Sequence, residues 1–244
     1  MAIYQSSELL AQINPALERY YEYETLDPAS VTCRDYDEAL NRLKQFASGT
    51  RLLEVGCGSG SFLKFAKLKG WQVHGVDSGM ENIRALREEG IDATCSGFLD
   101  FQTSHRFDCI VFWDLIEHPQ DPGEFIKKCR ELLSPKGLIL IAAPLDPNLL
   151  SIIASALYRV SAGGLKFALE KLYIAEHTSY FSIPALSRFM DRFHFKTVAA
   201  WKSETDLERY SFTPVFRVVL KILFAAARVL RLQNRLILIA ERQD

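Results

Sequence analysis

The sequence is poor in features that would point to several common classes of protein. Its five cysteines are an odd number and form no C-x-x-C pair, which argues against a disulfide framework and favours reduced thiols in a cytoplasmic protein. The net charge is only −1, from 29 basic and 30 acidic residues, so no overall positive field attracts nucleic acid. The first residues carry no basic region followed by an apolar core, so we expect no signal peptide.

Internal repeats and low-complexity segments are also absent, and the remaining composition is ordinary for a globular protein. The chain is 48% hydrophobic and 24% charged over 244 residues. A chain of this length can bury a full core. We therefore predict one enzyme domain over residues 1–244, located in the cytoplasm.

The most informative stretch is a glycine-rich turn after a short apolar run. Gly56, Gly58 and Gly60 lie where a buried strand would end and a helix would begin. Glycines let the backbone approach a ligand closely, and the helix start presents unpaired N–H groups to it. Asp77 ends a second β-rich run, 21 positions after Gly56, and a carboxylate there can accept both ribose hydroxyls. The pattern predicts a site for a nucleotide-like cofactor.

Two cofactors share this arrangement, and the residues around the glycines distinguish them. A dinucleotide site has the pattern G-x-G-x-x-G, but Ser61 stands at the third glycine position, which disfavours NAD. Glu54, just before the turn, would repel a pyrophosphate but could help hold a cation such as a sulfonium or an amino group. The motif E-V-G-C-G-S-G, residues 54–60, closely resembles motif I of class I S-adenosylmethionine-dependent methyltransferases.

Strand and helix signals alternate along the chain, which is the pattern of a parallel sheet with helices on both faces. Together with the resemblance, this predicts an α/β, Rossmann-like fold with a seven-stranded, mostly parallel sheet and helical lid insertions. Gly70 and Gly90 are placed to end two helices, and Asp121-Pro122 to begin another. We expect helices at about 61–69, 80–89 and 184–193, a turn at 134–137, and strands at about 107–113, 138–144, 195–203 and 235–242.

Two further segments extend the resemblance. Residues 114–122 resemble the "D-x-x-E-H-x-x-D-P" segment of small-molecule methyltransferases of the type that includes the ubiquinone-biosynthesis O-methyltransferases. Residues 176–182 are similar to the "H-x-x-x-F-S" segment that follows the lid in these enzymes. The resemblance covers about residues 36–200 and a terminal strand, and it is specific for fold and cofactor rather than for substrate.

The resemblance implies a set of cofactor-binding residues for S-adenosylmethionine. Asp77 would bind the ribose, Ser78 and Met80 would flank the adenosine, and Trp113 ends the strand beside the site. The residues around the methionine part would be Glu54, Gly56, Cys57, Gly58 and Gly60. Phe98 stands where family members often have an aspartate; its ring either packs on the adenine face or belongs to the core.

His118 and His177 are the candidate catalytic bases, because both lie in segments expected at the carboxyl edge of the sheet. The alternative for His118 is a helix-start residue bonded to the backbone. His74, His105 and His194 are interpreted as structural or surface residues.

A metal ion was weighed separately. Asp114, Glu117 and His118 have the spacing i, i+3, i+4, which would place them on one face of a helical turn and allow a divalent cation. The commoner role of such carboxylates is to contact the cofactor or the backbone, so we predict no metal.

Three segments surround the predicted core: an N-terminal helical flap at 1–45, a lid insertion at 145–175 and an amphipathic helical insertion at 205–233. Within the last, a helix from Pro214 to Leu232 would gather its basic residues in a narrow arc. Those residues are Arg217, Lys221, Arg228 and Arg231. Four charges argue against a membrane span, but the pattern is that of an interfacial membrane helix or of a helix that covers the core.

These observations predict an enzyme that transfers a methyl group from S-adenosylmethionine to a small-molecule acceptor. The acceptor group is expected to be a hydroxyl of a lipid-like, quinone-like or glycan-intermediate substrate, since the apolar lid suits an apolar acceptor. Two alternatives stay open: an NAD-dependent oxidoreductase, and a catalytically silent cofactor-binding or membrane-associated scaffold. The sequence does not decide the oligomeric state.

Overall fold

The computed structural model describes residues 27–174 and 176–244. Its helices are α1 Val31–Phe46, α2 Ser61–Leu68, α3 Met80–Glu88, α4 Pro122–Leu132, α5 Leu149–Val160, α6 Phe167–Leu172, α7 Ile183–Asp191 and α8 Pro214–Leu230. Its strands are β1 Arg51–Val55, β2 Gln72–Asp77, β3 Ala93–Cys95, β4 Phe107–Trp113, β5 Leu133–Pro144, β6 Phe195–Ser203 and β7 Arg235–Arg242. A short 3-10 helix, Leu207–Arg209, lies between β6 and α8. Most of the predicted flap, residues 1–26, lies outside the described residues.

The seven strands form one sheet in the order β3-β2-β1-β4-β5-β7-β6. All neighbours are parallel except β7, which runs antiparallel between β5 and β6. Strand order reverses between β1 and β4, the place where ligands bind in open α/β sheets. The predicted fold class is confirmed.

The centre of the sheet is apolar on both faces, as helices covering both sides require. Every residue of β4 is buried, and so are the central residues of β5 and β7. One apolar cluster packs α4 and α7 on one face, and a second packs α1, α2 and α3 on the other. The α1 residues Tyr36, Leu40 and Leu43 join the second cluster, so α1 belongs to the body of the domain.

Helix starts follow the local sequence closely. Asp121 caps α4 by accepting the Gly123 N–H, and Pro122 occupies the first turn. Asn148 and Ser151 form a reciprocal capping box at the start of α5. These caps orient the connections that leave the carboxyl edge of the sheet, where the candidate site lies.

Three local expectations were wrong. The segment 134–137 belongs to β5, which begins at Leu133 and is joined to β4 with an irregular register. Residues 114–118 form no helix: Asp114 adopts a positive φ of 53°, and the chain makes only a single turn after it, closed by the His118 N–H donating to the Leu115 carbonyl at 3.0 Å. The helix predicted to reach Leu232 ends at Leu230, with Arg231 as a left-handed C-cap. Among the described residues, no helix combines the length and the apolar character that a membrane span needs.

Candidate active site

The glycine-rich turn leaves β1 and returns into α2 through three residues with positive φ. Gly56, Gly58 and Gly60 have φ values of 70°, 50° and 74°. The Gly56 N–H donates to the Val76 carbonyl at 2.7 Å, which ties the turn to β2. A Cβ at Gly58 would meet no atom within 4 Å, so the turn presents bare backbone to open space. This is the cradle that a close-lying ligand needs.

Asp77 joins the turn to the loop after β2. Its Oδ2 accepts the Gly58 N–H at 2.9 Å and its Oδ1 accepts the Gly79 N–H at 2.7 Å. Each carboxylate oxygen has a second lone pair, so both retain acceptor capacity for a ligand hydroxyl. The residue therefore fixes two backbone segments of the cofactor cradle and faces the cavity that they enclose.

Glu54 is buried in β1 beneath the turn. Burial, and to a smaller extent the neighbouring Asp77 carboxylate, hold the pKa of Glu54 well above its usual range. Its Oε2 has no hydrogen-bond partner among the described residues. A buried acceptor left in this state suits a cationic or hydrogen-bond-donating ligand group, as the amino end of S-adenosylmethionine provides.

A cavity of about 330 Å³ opens at the carboxyl edge of β1, β2 and β4. One half is bounded by the glycine-rich turn and the loop after β2, and the other by the loop after β4, the lid and the segment before α8. The residues lining the first half include Gly56, Gly58, Asp77, Ser78, Gly79, Asn82, Ser96, Gly97 and Phe98. Those lining the second half include Asp114, Leu115, Glu117, His118, Phe125, Pro144, Ile174, His177, Thr205, Arg209, Tyr210 and Arg235.

The cavity brings together seven of the twelve residues that the sequence singled out. These are Gly56, Gly58, Asp77, Ser78, Phe98, His118 and His177. Glu54, Cys57, Gly60 and Trp113 support the lining from behind, since all four are buried in or beside the strands or hold the turn. Met80, at the start of α3, is 65% exposed and is not one of the lining residues, so its contact with the adenosine stays a prediction.

Phe98 is a core residue, which was one of the two alternatives stated for it. Its ring packs edge to face on Phe112 at a centroid distance of 5.8 Å and lies 5.3 Å from Phe125. Phe98 is also part of the cavity lining. The side chain is thus a core residue with one edge at the cofactor half, and its packing on the adenine stays a prediction.

The candidate bases meet at the second half of the cavity. The imidazole rings of His118 and His177 lie edge to face with centroids 4.7 Å apart. One ring nitrogen of each histidine and one carboxylate oxygen of Glu117 lie within 4.8 Å of one another. The lid segment is fixed here because the Thr178 and Ser179 N–H groups donate to the Glu117 carbonyl at 2.8 and 3.2 Å.

Burial sets the protonation of this cluster. It lowers the pKa of His118, and it lowers the pKa of His177 to about 4 with a contribution from the neighbouring His118. Burial and the nearby Asp114 carboxylate raise the pKa of Glu117 to about 8. At neutral pH both imidazoles are therefore neutral and Glu117 is largely protonated. His118 Nδ1 donates to the Glu176 carbonyl at 3.2 Å, so the proton resides on Nδ1 and Nε2 is the basic nitrogen.

Asp114 does not join Glu117 and His118 as a set of three ligands. Its Oδ2 accepts a hydrogen bond from Arg235 Nη1 at 3.1 Å, Arg235 Nη2 lies 2.7 Å from Oδ1 in the same ion pair, and Arg209 lies 3.7 Å from Oδ2. The cluster that could hold a divalent cation is instead Glu117, His118 and His177. The spacing argument missed His177 as a member because the lid brings it to the site.

Several lining residues were missed by the sequence analysis. Asn82 lies on α3, and its amide nitrogen is 3.2 Å from the place of a Cβ on Gly79. Arg209 and Tyr210 end the short 3-10 helix, and Arg235 begins β7. No local pattern marks these three, because they reach the cavity only through the antiparallel insertion of β7 beside β5.

Comparisons with known proteins agree with this geometry. Residues 27–200 match the family model described as a methyltransferase domain. The ubiquinone biosynthesis O-methyltransferase of Nitrobacter winogradskyi is 34% identical over 124 residues, which cover 48% of this chain and 47% of that protein. The enzyme of the same name from Bradyrhizobium diazoefficiens is 31% identical over 118 residues, 46% of each chain. The chain thus spans about half the length of these relatives.

Solved structures share the fold at low sequence identity. The magnesium protoporphyrin IX methyltransferase of Synechocystis PCC 6803, with bound S-adenosylhomocysteine, is 11% identical with a TM-score of 0.60, over 97% of this chain and 99% of that one. A putative sarcosine dimethylglycine methyltransferase from Galdieria sulphuraria is 15% identical with a TM-score of 0.57, over 87% of this chain and 86% of that one. The family match covers most of the chain, and the protein therefore belongs to the class I S-adenosylmethionine-dependent methyltransferases.

Proposed function

We propose that the protein transfers the methyl group of S-adenosylmethionine to a hydroxyl of a small amphiphilic acceptor that is lipid-like, quinone-like or a glycan intermediate. The observation that carries this proposal is the imidazole pair of His118 and His177, which lines the same cavity as Asp77. A hydroxyl acceptor loses a proton during methyl transfer, and a neutral imidazole can accept it.

Different residues of the cavity would bind the cofactor and accept the proton. Asp77, Ser78 and the bare turn at Gly58 would hold the cofactor, which when bound supplies a methyl group activated on a sulfonium. Near-attack placement of the acceptor is the main requirement of such a displacement. His118 Nε2 is the better candidate for the proton acceptor, because its Nδ1 donates to the Glu176 carbonyl in the segment after the lid. His177 then closes the site from the lid side.

The second half of the cavity supports an acceptor with apolar and polar parts. Leu115, Phe125 and Ile174 present apolar surface, while Tyr210 and Thr205 offer hydroxyl groups. A cavity lined in this way binds an apolar ring or chain and orients it by a few polar contacts. The curated relatives are named for ubiquinone biosynthesis, which agrees with a quinone-like acceptor.

A labelled-methyl assay tests the proposal. The purified protein is incubated with methyl-labelled S-adenosylmethionine and matched pairs of acceptors, each pair a prenylated catechol or phenol and its amine analogue. We expect label in the hydroxyl compounds, and loss of transfer in His118→Gln. Transfer to the amines alone would contradict hydroxyl chemistry. Tight S-adenosylhomocysteine binding without any turnover would favour the silent scaffold.

A second candidate role belongs to the same cluster: Glu117, His118 and His177 could hold a divalent cation. The specific observation in its favour is that Glu117 Oε2 and His177 Nδ1 are buried without hydrogen-bond partners among the described residues. Calorimetric titration with Mn²⁺ tests it, since Glu117→Gln should abolish the heat of binding. No heat with the unmodified protein would remove the cation and leave the imidazoles as bases.

A further inference from the structure

The helix α8 has two apolar faces rather than one. Leu220, Phe224 and Ala227 are buried against the domain. At about 100° per residue, the arc from Val218 through Ile222 to Leu230 covers about 120° on the other side of the helix. The side chains on this arc are exposed, with Ile222 at 65% and Val229 at 84%. A second apolar face of this width is not needed to cover the core.

The helices of the lid continue this bare surface. Leu150 of α5 packs on Leu220 and Phe224 of α8, and the Leu149 N–H donates to the Leu232 carbonyl at 2.9 Å. The α5–α6 hairpin adds further exposed apolar side chains, which are Ile152, Leu157, Tyr158, Val160, Leu165 and Phe167. We call the outer side of α5, α6 and α8 the apolar platform. Contiguous apolar surface of this kind marks an interaction site.

The charge of the platform differs from that of the rest of the chain. Segments 149–172 and 214–231 contain seven basic residues and one acidic residue, Glu170, in a chain with 29 basic and 30 acidic residues. Four of the seven are ion-paired: Arg217 and Lys221 with Glu208, Arg228 with Glu204, and Lys166 with Glu170. Lys221 and Arg228 nevertheless expose most of their side chains, as do the basic residues of the lid. The rim is therefore basic.

We propose that the apolar platform docks on the surface of an anionic lipid bilayer, with its apolar side chains below the headgroups and its basic rim among them. An amphipathic helix with a basic rim binds bilayers in this way. A second copy of the chain is the less favoured occupant, because a two-fold interface would bring two basic rims face to face.

The platform adjoins the acceptor half of the cavity. Tyr173 and Ile174 follow α6 directly, and Tyr210 precedes α8 by a few residues; Ile174 and Tyr210 both line the cavity. Docking would thus place the cavity near the membrane surface, where amphiphilic acceptors reside. The docking itself does not depend on the proposed function, since it rests on exposure and charge alone.

Vesicle flotation tests the proposal with phosphatidylcholine vesicles and with vesicles that also contain phosphatidylglycerol. We expect binding to the anionic vesicles that weakens at high salt. The double variant Val218→Asp/Ile222→Asp should reduce binding by at least about tenfold, since two exposed aliphatic side chains lose their apolar contact. Leu68→Asp is the matched control, because Leu68 is 81% exposed on α2, outside the platform.

A second variant tests the rim. Arg159→Glu/Lys171→Glu should weaken binding to anionic vesicles, while the charge-matched Arg84→Glu/Lys127→Glu should not. Circular dichroism and S-adenosylhomocysteine binding verify that each variant is folded. Absence of binding to anionic vesicles, or binding by Val218→Asp/Ile222→Asp at the level of the unmodified protein, would overturn the proposal. The proposal would also be overturned if the unmodified protein were a dimer in solution and Val218→Asp/Ile222→Asp were a monomer.

Discussion

The imidazole rings of His118 and His177 meet edge to face, with centroids 4.7 Å apart, although one follows β4 and the other lies in the segment after the lid. The contact is fixed by backbone: Thr178 donates its N–H to the Glu117 carbonyl and its hydroxyl to the Pro119 carbonyl, at 2.8 and 2.7 Å. These hydrogen bonds hold the segment after the lid on the loop after β4 and so bring the two rings together. The proposed catalytic pair therefore depends on the position of this segment.

Replacing either ring tests whether the pair acts in the reaction. His118→Gln and His177→Gln should each lower kcat by about 10²–10⁴-fold, the usual contribution of a general base, with S-adenosylhomocysteine affinity nearly unchanged. His105→Gln is the control, since His105 is an exposed histidine in a turn. Equal kcat values for all three variants would show that neither ring takes part.

The pH profile of kcat/KM should reflect the lowered pKa values of the buried imidazoles. Burial lowers the pKa of His177 to about 4 and also lowers the pKa of His118, so both imidazoles stay neutral to a lower pH than a solvated histidine does. The acid limb of kcat/KM should therefore lie below the value of about 6.5 that a solvated histidine would give. A profile of kcat/KM in overlapping buffers measures it, and a limb centred near 6.5 would contradict the assignment.

Glu117 should make the protein less stable as pH rises. The pKa of its carboxyl is raised from 4.5 to about 8, so between these pH values the folded protein retains a proton that the unfolded chain has lost. The free energy of unfolding then falls as pH increases through this window. Glu117→Gln removes the effect, so its Tm should exceed that of the unmodified protein increasingly from acid to alkaline pH.

Thermal unfolding over a pH series measures the difference. Glu124→Gln is the matched control, because Glu124 is half exposed on α4 and pairs only with Lys127 among the described residues. A constant Tm difference between Glu117→Gln and the unmodified protein at all pH values would show that Glu117 ionises normally.

The sequence predicts the cofactor half of the site well and the acceptor half poorly. Gly58 and Asp77 could be placed because strand, turn and helix follow one another along the chain, so local spacing determines their geometry. Arg235 and Tyr210 could not, since their approach depends on how β7 inserts between β5 and β6. Asp114 could not be placed either, because its positive φ takes it out of the helical conformation that the i, i+3, i+4 spacing assumed.

Asp77 offers the sharpest test of the cofactor half. It holds the Gly58 and Gly79 N–H groups and faces the cavity, so Asp77→Ala removes both the ligand contact and the tie between the two loops. We expect S-adenosylhomocysteine affinity to fall by about tenfold to a hundredfold, as the loss of hydrogen bonds to a charged group predicts. Calorimetric titration measures it. Asp92→Ala is the control, since Asp92 is an exposed carboxylate beside β3 that pairs with His74. Because Asp77→Asn preserves an acceptor for one N–H, its S-adenosylhomocysteine affinity should lie between those of Asp77→Ala and the unmodified protein. Unchanged affinity in Asp77→Ala would mean that the cofactor is held elsewhere.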